Sequence, residues 1–498
     1  MPEHLPRLRR FADSIREAGF TDVILFGMGG SSLAAEVLRA VFGVAPGHPG
    51  FQVLDSVDPD AVRRSLARPA SSLFVVASKS GSTVEVASLA AEADFRVRAA
   101  GVANPELHFV AITDEHTTLH RLAMERGYRE VFVNPADIGG RYSALSLFGL
   151  VPAALMGIDL VALMASALEM ARACRTSTVR RNPGLALGAF MAAGAAAGRD
   201  KLTLALPPPL ERLGLWIEQL VAESTGKQGT GIVPVAGEYP SDVPGDDRII
   251  VSTAMDGADP SLSPEHARTG GSPAAMLRMP DATSLGAEFF RWEVATATAG
   301  FLLNVNPFDE PNVQQAKDAT RGLLEAFTAD GRLPSTRADA ETDGAQVRLS
   351  VSARAALQDA DPLAILTLLR PAEYFALLAY LPPDDDEFSV VLRDLRDGVS
   401  AKRSCAATLG YGPRYLHSTG QLHKGGPDTG VFVIVTAEPA ADLPVPGQAY
   451  SFGVLEMAQA AGDFASLDRI GRRALHLHLP GRSAALLRAI GERLLDLA

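Results

Sequence analysis

Cysteine is scarce in this chain and follows no recognisable pattern. Cys174 and Cys405 are the two cysteines among 498 residues, and neither belongs to a CxxC motif. Secreted proteins held together by disulfides use more cysteine, and zinc sites use clustered Cys and His. The composition therefore argues against a disulfide scaffold and favours a reducing, cytoplasmic setting.

Long apolar runs are also missing. The most apolar stretch, residues 144–158, contains Pro152, stops at Asp159 and is shorter than the roughly 20 residues that cross a bilayer. It predicts a buried core helix. The N-terminal segment combines periodic apolar positions with charges of both signs, which indicates an amphipathic helix rather than a signal peptide. We therefore expect no membrane segment.

Positive charge is not in excess. The chain has 46 basic and 58 acidic residues, and the net charge of −12 argues against nucleic acid as a partner. Its 47% hydrophobic and 21% charged residues are typical of a globular protein, and the length suffices for two or three domains.

Strand-like apolar runs alternate with helical segments, which predicts an α/β fold. We expect two doubly wound parallel-sheet domains, residues 1–160 and 161–330, and a third, smaller α/β domain at 345–498, after a polar, turn-rich boundary at 329–344. Surface loops are predicted at 240–247 and 256–272. The predicted strands are 23–26, 51–54, 73–77, 109–113, 131–133, 202–206, 249–253, 275–279, 347–351, 375–380, 431–435 and 475–479.

A serine-rich turn follows one of these strands, although no GxxxxGK[ST] nucleotide motif occurs. Unpaired amides and the dipole at a helix start favour an anion such as phosphate. An ordinary capped turn is the alternative for any such loop taken alone. The polar residues of this turn are Ser78, Lys79, Ser80, Ser82 and Thr83.

A second turn, FGMGGSS at 26–32, supplies Gly29, Gly30 and Ser31 after the first strand. Two such turns on adjacent parallel strands would line one ligand-binding crevice. The rival interpretation is a dinucleotide fingerprint, because the next predicted strand ends in Asp55. That interpretation is weaker, since Ser32 stands where the third glycine belongs.

Two segments carry charged groups that could take part in catalysis. Arg141 in GGRYS could place a guanidinium beside an anionic centre, although most arginines only form surface ion pairs. Glu223 lies near the end of a predicted helix, where the negative end of the dipole disfavours the ionised carboxylate and strengthens it as a base. Taken alone, such a residue is more often a solvated surface acid.

Two further segments are polar and rich in turn residues. Lys317 lies on the helix predicted after NPFDEP, where lysines are usually just solvated. His417 and Gln421 belong to YLHSTGQLHKGG, a glycine-framed stretch typical of functional loops. A zinc site is not favoured there, because no Cys or acidic third ligand lies nearby.

Taken together, these segments resemble the glucose-6-phosphate isomerase family. FGMGGSS, SKSGST, GGRYS, AESTGK and NPFDEPNVQQAK occur in the order and with roughly the spacing of that family. With YLHSTGQLHKGGP added, the chain is most similar to the isomerase half of bifunctional transaldolase/phosphoglucose isomerase fusions. The resemblance implies two sugar-isomerase (SIS) domains, a small phosphosugar as substrate, no cofactor and no metal.

The resemblance also implies roles for individual residues. Glu223 would move a proton between C1 and C2 of the sugar, and Arg141 would stabilise the enediolate. His417 and Lys317 would act on ring opening and the ring oxygen. The implied substrate-binding residues are Gly29, Gly30, Ser31, Ser78, Lys79, Ser80, Ser82, Thr83 and Gln421.

Two features depart from the family pattern. The histidine motif of stand-alone isomerases lies between the Glu and Lys motifs and reaches the site from a neighbouring subunit, whereas His417 follows Lys317 by 417 − 317 = 100 residues. We therefore expect the third domain to deliver His417 within one chain, as a monomer or a homodimer. Glu310 stands where the family has Gln, and its charge would oppose a phosphate unless a cation neutralises it.

The implied activity is aldose–ketose isomerisation of glucose 6-phosphate and fructose 6-phosphate through a cis-enediolate, a step of glycolysis and gluconeogenesis. The alternatives are another phosphosugar isomerase, for example one accepting mannose 6-phosphate, and a non-catalytic SIS module that binds phosphosugars. The resemblance also implies a link to, or descent from, a transaldolase fusion.

Overall fold

A computed structural model describes residues 1–238, 245–256, 271–334, 337–383 and 385–498, with the backbone alone at 313–316. The surface loops predicted at 240–247 and 256–272 lie largely outside these residues. Three sheets with helices on their faces account for the described chain. The predicted α/β class, with two parallel sheets and a third α/β unit, is confirmed.

The first sheet is parallel throughout and has the strand order β2-β1-β3-β4-β5. Its strands are rich in β-branched and aromatic residues and are covered on both faces, as in β3, where every residue is buried. Its strands are β1 (Asp22–Phe26), β2 (Gly50–Leu54), β3 (Ser72–Ala77), β4 (Phe109–Asp114) and β5 (Glu130–Asn134). Its helices are α1 (Leu5–Glu17), α2 (Leu33–Phe42), α3 (Pro59–Ser65), α4 (Val84–Ala99), α5 (Thr118–Arg126) and α6 (Leu147–Leu155).

Strand order places a crevice between β1 and β3. These two strands are adjacent and parallel, but the chain leaves β1 towards β2 on one side and β3 towards β4 on the other. In doubly wound sheets, ligands bind where successive connections diverge in this way. The two turns rich in glycine and serine therefore follow adjacent parallel strands at the same edge of the sheet.

The second sheet is also parallel, in the order β7-β6-β8-β9. Its strands are β6 (Lys201–Ala205), β7 (Val233–Ala236), β8 (Arg248–Met255) and β9 (Ala274–Met279). Its helices are α7 (Leu160–Ala173), α8 (Pro183–Ala196), α9 (Glu211–Thr225) and α10 (Leu285–Leu302). Helix α11 (Val313–Asp330) follows along the chain and packs against the first sheet. Strand β7 was not predicted from the sequence, because Pro234 interrupts it. Proline is tolerated here since β7 is an edge strand.

The third sheet is mixed, in the order β10-β11-β15-β14-β12-β13, with antiparallel pairing of β11 to β10 and β15. Its strands are β10 (Ala340–Thr342), β11 (Ala345–Leu349), β12 (Tyr374–Tyr380), β13 (Ala406–Tyr411), β14 (Gly430–Ala437) and β15 (Arg473–Leu479). Its helices are α12 (Val351–Leu357), α13 (Asp386–Arg403), α14 (Gly420–Gly425), α15 (Phe452–Arg469) and α16 (Ala484–Asp496). The strand predicted at 347–351 begins and ends two residues earlier, because Ser350 caps α12.

The three units share hydrophobic cores. One core joins a face of the first sheet, covered by α6, to the second sheet and its helices. Every residue of α6 is buried, which confirms the predicted core helix. The other face of the first sheet packs against Leu324 of α11 and against Phe452 and Leu455 of α15. A further core joins β7 to the third sheet and Tyr415. All three units therefore meet around the crevice.

None of the helices within the described ranges is both long and apolar enough to cross a membrane.

Candidate active site

The turn after β1 allows three segments to meet. A Cβ atom on Gly30 would lie 2.1 Å from the carbonyl oxygen of Gly140, and one on Gly29 would lie 2.3 Å from that of His417. Gly29 also has a positive φ of 53°, which glycine adopts without strain. These glycines, with Ser31 buried beside them, let the turns of Arg141 and His417 approach the first sheet.

The turn after β3 lines an open cavity of about 820 Å³. Ser80, Ser82 and Thr83 face this cavity, and α4 begins immediately behind them at Val84. Ser80 Oγ and Ser82 Oγ lie 3.1 Å apart, while the buried Ser78 Oγ lies 2.9 Å from Thr83 Oγ1. Hydroxyls and helix-start amides at one place are groups suited to an anion.

Lys79, from the same turn, points elsewhere. Its ammonium group forms an ion pair with Asp114 at the end of β4 and donates to the carbonyl of Ala136 at 3.0 Å. Lys79 therefore braces the turn against β4, and it does not line the cavity.

Arg141 lies at the junction of three segments and is 3% exposed. Its Nη1 lies 3.2 Å from Glu223 Oε1 and 2.9 Å from Glu310 Oε2. Its Nε donates to Ser224 Oγ at 2.8 Å, and its Nη2 donates to the carbonyls of Pro307 and Asp309 at 2.7 and 2.9 Å. The guanidinium thus joins the 139–143 turn to the end of α9 and to the 306–310 loop.

Glu223 is a buried carboxylate in the last turn of α9. Burial raises its pKa above the ordinary value; the charge of Arg141 opposes this rise and that of Glu310 adds to it. The sequence analysis expected a raised pKa from the helix dipole. The pKa of Glu223 is raised, as expected, but the largest cause of the rise is the desolvation of the buried carboxylate.

The negative charge of Glu310 has a cationic partner in the structure. The same Nη1 atom that faces Glu223 also binds the carboxylate of Glu310, whose side chain is about half exposed. One guanidinium is therefore shared by the two carboxylates, Glu223 and Glu310.

His417 reaches the first sheet from the third unit. Its Nε2 lies 2.8 Å from Oε1 of the buried Glu85, at the start of α4. Gln219 Nε2 donates to the carbonyl of His417 at 2.8 Å and to Glu223 Oε2 at 3.1 Å. The histidine turn is therefore two hydrogen bonds away from the carboxylate of Glu223.

Lys317 and Gln421 lie in different surroundings. Lys317 lines the same cavity as Ser80, Thr83 and His417. Gln421 is fully buried and donates to the carbonyl of Gly226 at 2.9 Å. Its amide also exchanges hydrogen bonds with Asn312, at 2.8 and 2.9 Å, so it anchors the start of α11 to α14 and α9.

Three residues of the site, Gln219, Glu85 and Lys227, were not predicted from the sequence. Gln219 lies one helical turn before Glu223, so the i, i+4 spacing was an available signal. Glu85 looks like an acid favoured by the helix dipole, and its partner is 332 residues away. Lys227 was only one letter of the AESTGK motif, yet its buried amine binds Asp309 Oδ1 at 2.7 Å and holds the 306–310 loop.

The fold and this arrangement define a class: a doubly wound α/β protein in which a cavity lined by hydroxyls at a helix start is linked, through His417 and Gln219, to a buried carboxylate–guanidinium pair. The family model of phosphoglucose isomerase matches residues 5–235. A glucose-6-phosphate isomerase of Synechococcus sp. (strain CC9605) is 31% identical over 362 residues, 63% of this chain and 68% of that protein. The chain belongs to the phosphoglucose isomerase family.

One further relative and two solved structures are also similar to this chain. A glucose-6-phosphate isomerase of Thermosynechococcus vestitus is 30% identical over 61% of this chain, which matches 66% of that protein's length. A hypothetical protein from Thermus thermophilus has a similar structure, with a TM-score of 0.58, 26% identity and coverage of 64% of this chain and 88% of that one. The glucose-6-phosphate isomerase of Chlamydia trachomatis has the same TM-score at 22% identity, covering 66% and 74%, and shares the fold.

The close approach at Gly30 generates a prediction. In Gly30→Ala, the new methyl group would meet the backbone of Gly140 and Arg141, so we expect a loss of about 1–3 kcal/mol in the free energy of unfolding. Chemical denaturation measures it. Gly140→Ala is the matched control, because a Cβ atom there meets nothing within 4 Å. Equal stability of the two variants would contradict the packing described here.

Proposed function

We propose that this protein interconverts glucose 6-phosphate and fructose 6-phosphate by proton transfer through a cis-enediolate. The observation that carries the proposal is the buried carboxylate of Glu223, which lies 3.2 Å from the guanidinium of Arg141. Membership of the phosphoglucose isomerase family supports it. A module that only binds phosphosugars would need neither group.

Glu223 has the properties of a general base. A base works best when its pKa lies near the operating pH, and burial raises the pKa of Glu223 in that direction. Glu223 would remove the proton from C2 of the open-chain aldose and return it to C1, which gives the ketose. The enediolate formed in between carries negative charge on oxygen, and Arg141 supplies the cation that stabilises it.

The serine-rich turn would hold the phosphate. Ser80, Ser82 and Thr83 offer hydroxyls and helix-start amides in the cavity, and Lys317 adds a positive charge from α11. Binding energy gained at the phosphate, remote from C1 and C2, would orient the open chain towards Glu223.

His417 would open the sugar ring. Because the ionised carboxylate of Glu85 can only accept a hydrogen bond, His417 would donate from Nε2, which leaves Nδ1 as the nitrogen that would exchange a proton with the sugar. Burial would raise the pKa of Glu85, but the charge and hydrogen bond of His417 hold it below the ordinary value. Glu85 therefore stays ionised and orients the imidazole.

We also propose that one chain completes its own site, with the division at 1–160, 161–330 and 345–498. His417 belongs to the third unit, and its contacts with Glu85 and Gln219 lie within the chain. The proposed partner is a small phosphosugar, and the proposed compartment is the cytoplasm.

Replacing Glu223 tests the central role. We expect Glu223→Gln to lower kcat by about 10²- to 10⁴-fold, because an amide cannot accept the proton, while phosphosugar binding survives. A coupled assay gives kcat and calorimetry gives the affinity. Glu211→Gln, at the exposed start of the same helix, is the matched control. Unchanged turnover in Glu223→Gln would remove this residue from its role.

The charge of Glu310 should appear in the pH profile. Glu310 raises the pKa of Glu223, and the base must be ionised to act. Glu310→Gln removes this like charge, lowers the pKa of Glu223 and should shift the acidic limb of kcat to lower pH. Glu341→Gln, at an exposed position of β10, controls for the loss of one negative charge. A shift to higher pH would contradict the assignment.

Dilution tests delivery of His417 within one chain. We expect the activity per chain to stay constant as protein concentration falls through any dimer dissociation, because the contacts of His417 are internal. Enzyme assays and analytical ultracentrifugation over the same concentrations make the comparison. Activity that disappears in step with dissociation would instead show that the neighbouring subunit is required.

A further inference from the structure

Gln459, a residue of the third unit, contacts the pair formed by Glu85 and His417. It lies on α15 and is 2% exposed. Its Nε2 donates to Glu85 Oε1 at 2.7 Å, and the same oxygen lies 2.8 Å from His417 Nε2. A single buried carboxylate oxygen is therefore hydrogen-bonded to two side chains, both from the third unit.

The chemistry of the contact fixes the orientation of the Gln459 amide. An ionised carboxylate only accepts hydrogen bonds, so the nitrogen of the amide must face it. The amide is uncharged, so it fixes this oxygen without competing with the imidazole as a charge partner. With one donor lost, the carboxylate of Glu85 could rotate, and the ring of His417 would follow it.

Helix α15 is held firmly enough to serve this purpose. One turn after Gln459, the buried Asp463 accepts a hydrogen bond from the hydroxyl of Tyr415 at 2.7 Å and forms a buried ion pair with Lys424. Tyr415 and Lys424 flank the His417 turn in the sequence. A Cβ atom on Gly462 would lie 3.2 Å from the backbone nitrogen of Thr320, so α15 also packs closely on the helix that carries Lys317.

We propose that Gln459 is a positioning residue for ring opening, which acts by fixing Glu85 and, through it, the imidazole of His417. The inference rests on the proposed isomerase function and assigns Gln459 to one of its two steps. Ring opening needs a correctly oriented His417, whereas proton transfer at C1 and C2 needs Glu223. A defect in Gln459 should therefore affect cyclic substrates selectively.

A substrate that cannot close its ring separates the two steps. Fructose 6-phosphate closes its ring through O5, because O6 is esterified. In 5-deoxyfructose 6-phosphate that oxygen is missing, so the ketose stays open. In D₂O, proton removal by Glu223 exchanges hydrogen at C1 of either ketose for deuterium, which mass spectrometry measures in the same way for both. Only fructose 6-phosphate must be opened first.

For Gln459→Leu we expect the maximal exchange rate with fructose 6-phosphate to fall about tenfold or more, because ring opening becomes limiting. Exchange with 5-deoxyfructose 6-phosphate should stay within about twofold of the wild type. Gln459→Glu, which has the same shape, should slow fructose 6-phosphate further, since a second carboxylate would face Glu85. The ratio of the two rates within one variant does not depend on the fraction of protein that folds.

Gln448→Leu is the matched control. Gln448 lies at the exposed rim of the same cavity, and its side chain has no hydrogen bond to Glu85 or His417 within the part of the chain that the structure describes. It should keep the wild-type ratio. Equal slowing of both ketoses in Gln459→Leu, or no slowing of either, would overturn the positioning role. Glu223→Gln should stop exchange with both; normal exchange there would reject the isomerase function itself, whatever Gln459 does.

Discussion

The guanidinium of Arg141 lies between the carboxylates of Glu223 and Glu310, and this buried group holds the site together. A carboxylate removed from water is costly unless a partner stabilises it, and Glu223 is buried at the end of a helix whose dipole is also unfavourable there. Arg141 lowers this cost. Its remaining donors bind Ser224 and two carbonyls of the 306–310 loop, so the same cation also fixes the segments around Glu223.

Charge balance within this cluster sets the character of Glu223. A full, undivided ion pair with Arg141 would hold the pKa of Glu223 low and make it a weak base. Burial and the second carboxylate of Glu310 work in the opposite direction, and together they raise the pKa. Glu310 therefore has a physical effect: it shares the cation and adds a like charge, and so leaves Glu223 more basic.

Sequence patterns predicted the features that depend on neighbours in the chain. The turn at 78–83 and the helix starting at Val84 were readable because a buried β-branched strand changes abruptly into small polar residues. The end of α9 near Glu223 was readable from Gly226. The edge strand β7 was missed because Pro234 is unfavourable in any strand that pairs on both sides, and edge position cannot be seen in one sequence.

Contacts between segments that are distant in the chain could not be predicted from these local patterns. Lys79 looked like a ligand for phosphate, but its partner Asp114 lies on the next strand of the sheet, a pairing that depends on strand order. Glu85 and Gln459 were not singled out at all, since 374 residues separate them. Each side chain is unremarkable in its own segment, and its part in the site exists only once the third unit packs on the first.

The late position of the histidine motif in the chain has a structural explanation. What the proposed chemistry requires of His417 is a fixed place beside the base and the anion-binding turn, and that place is defined by contacts rather than by order. Gly29 lets the carbonyl of His417 approach the first sheet, Gln219 donates a hydrogen bond to that carbonyl, and Glu85 binds the imidazole ring. Shared cores join the third unit to both other units, so they bring the turn to this place from residue 417. The residues that contact His417 in this way, Gly29, Gln219 and Glu85, all belong to the first two units. The position of His417 is therefore set by how the third unit packs against them and does not depend on where the histidine occurs in the sequence.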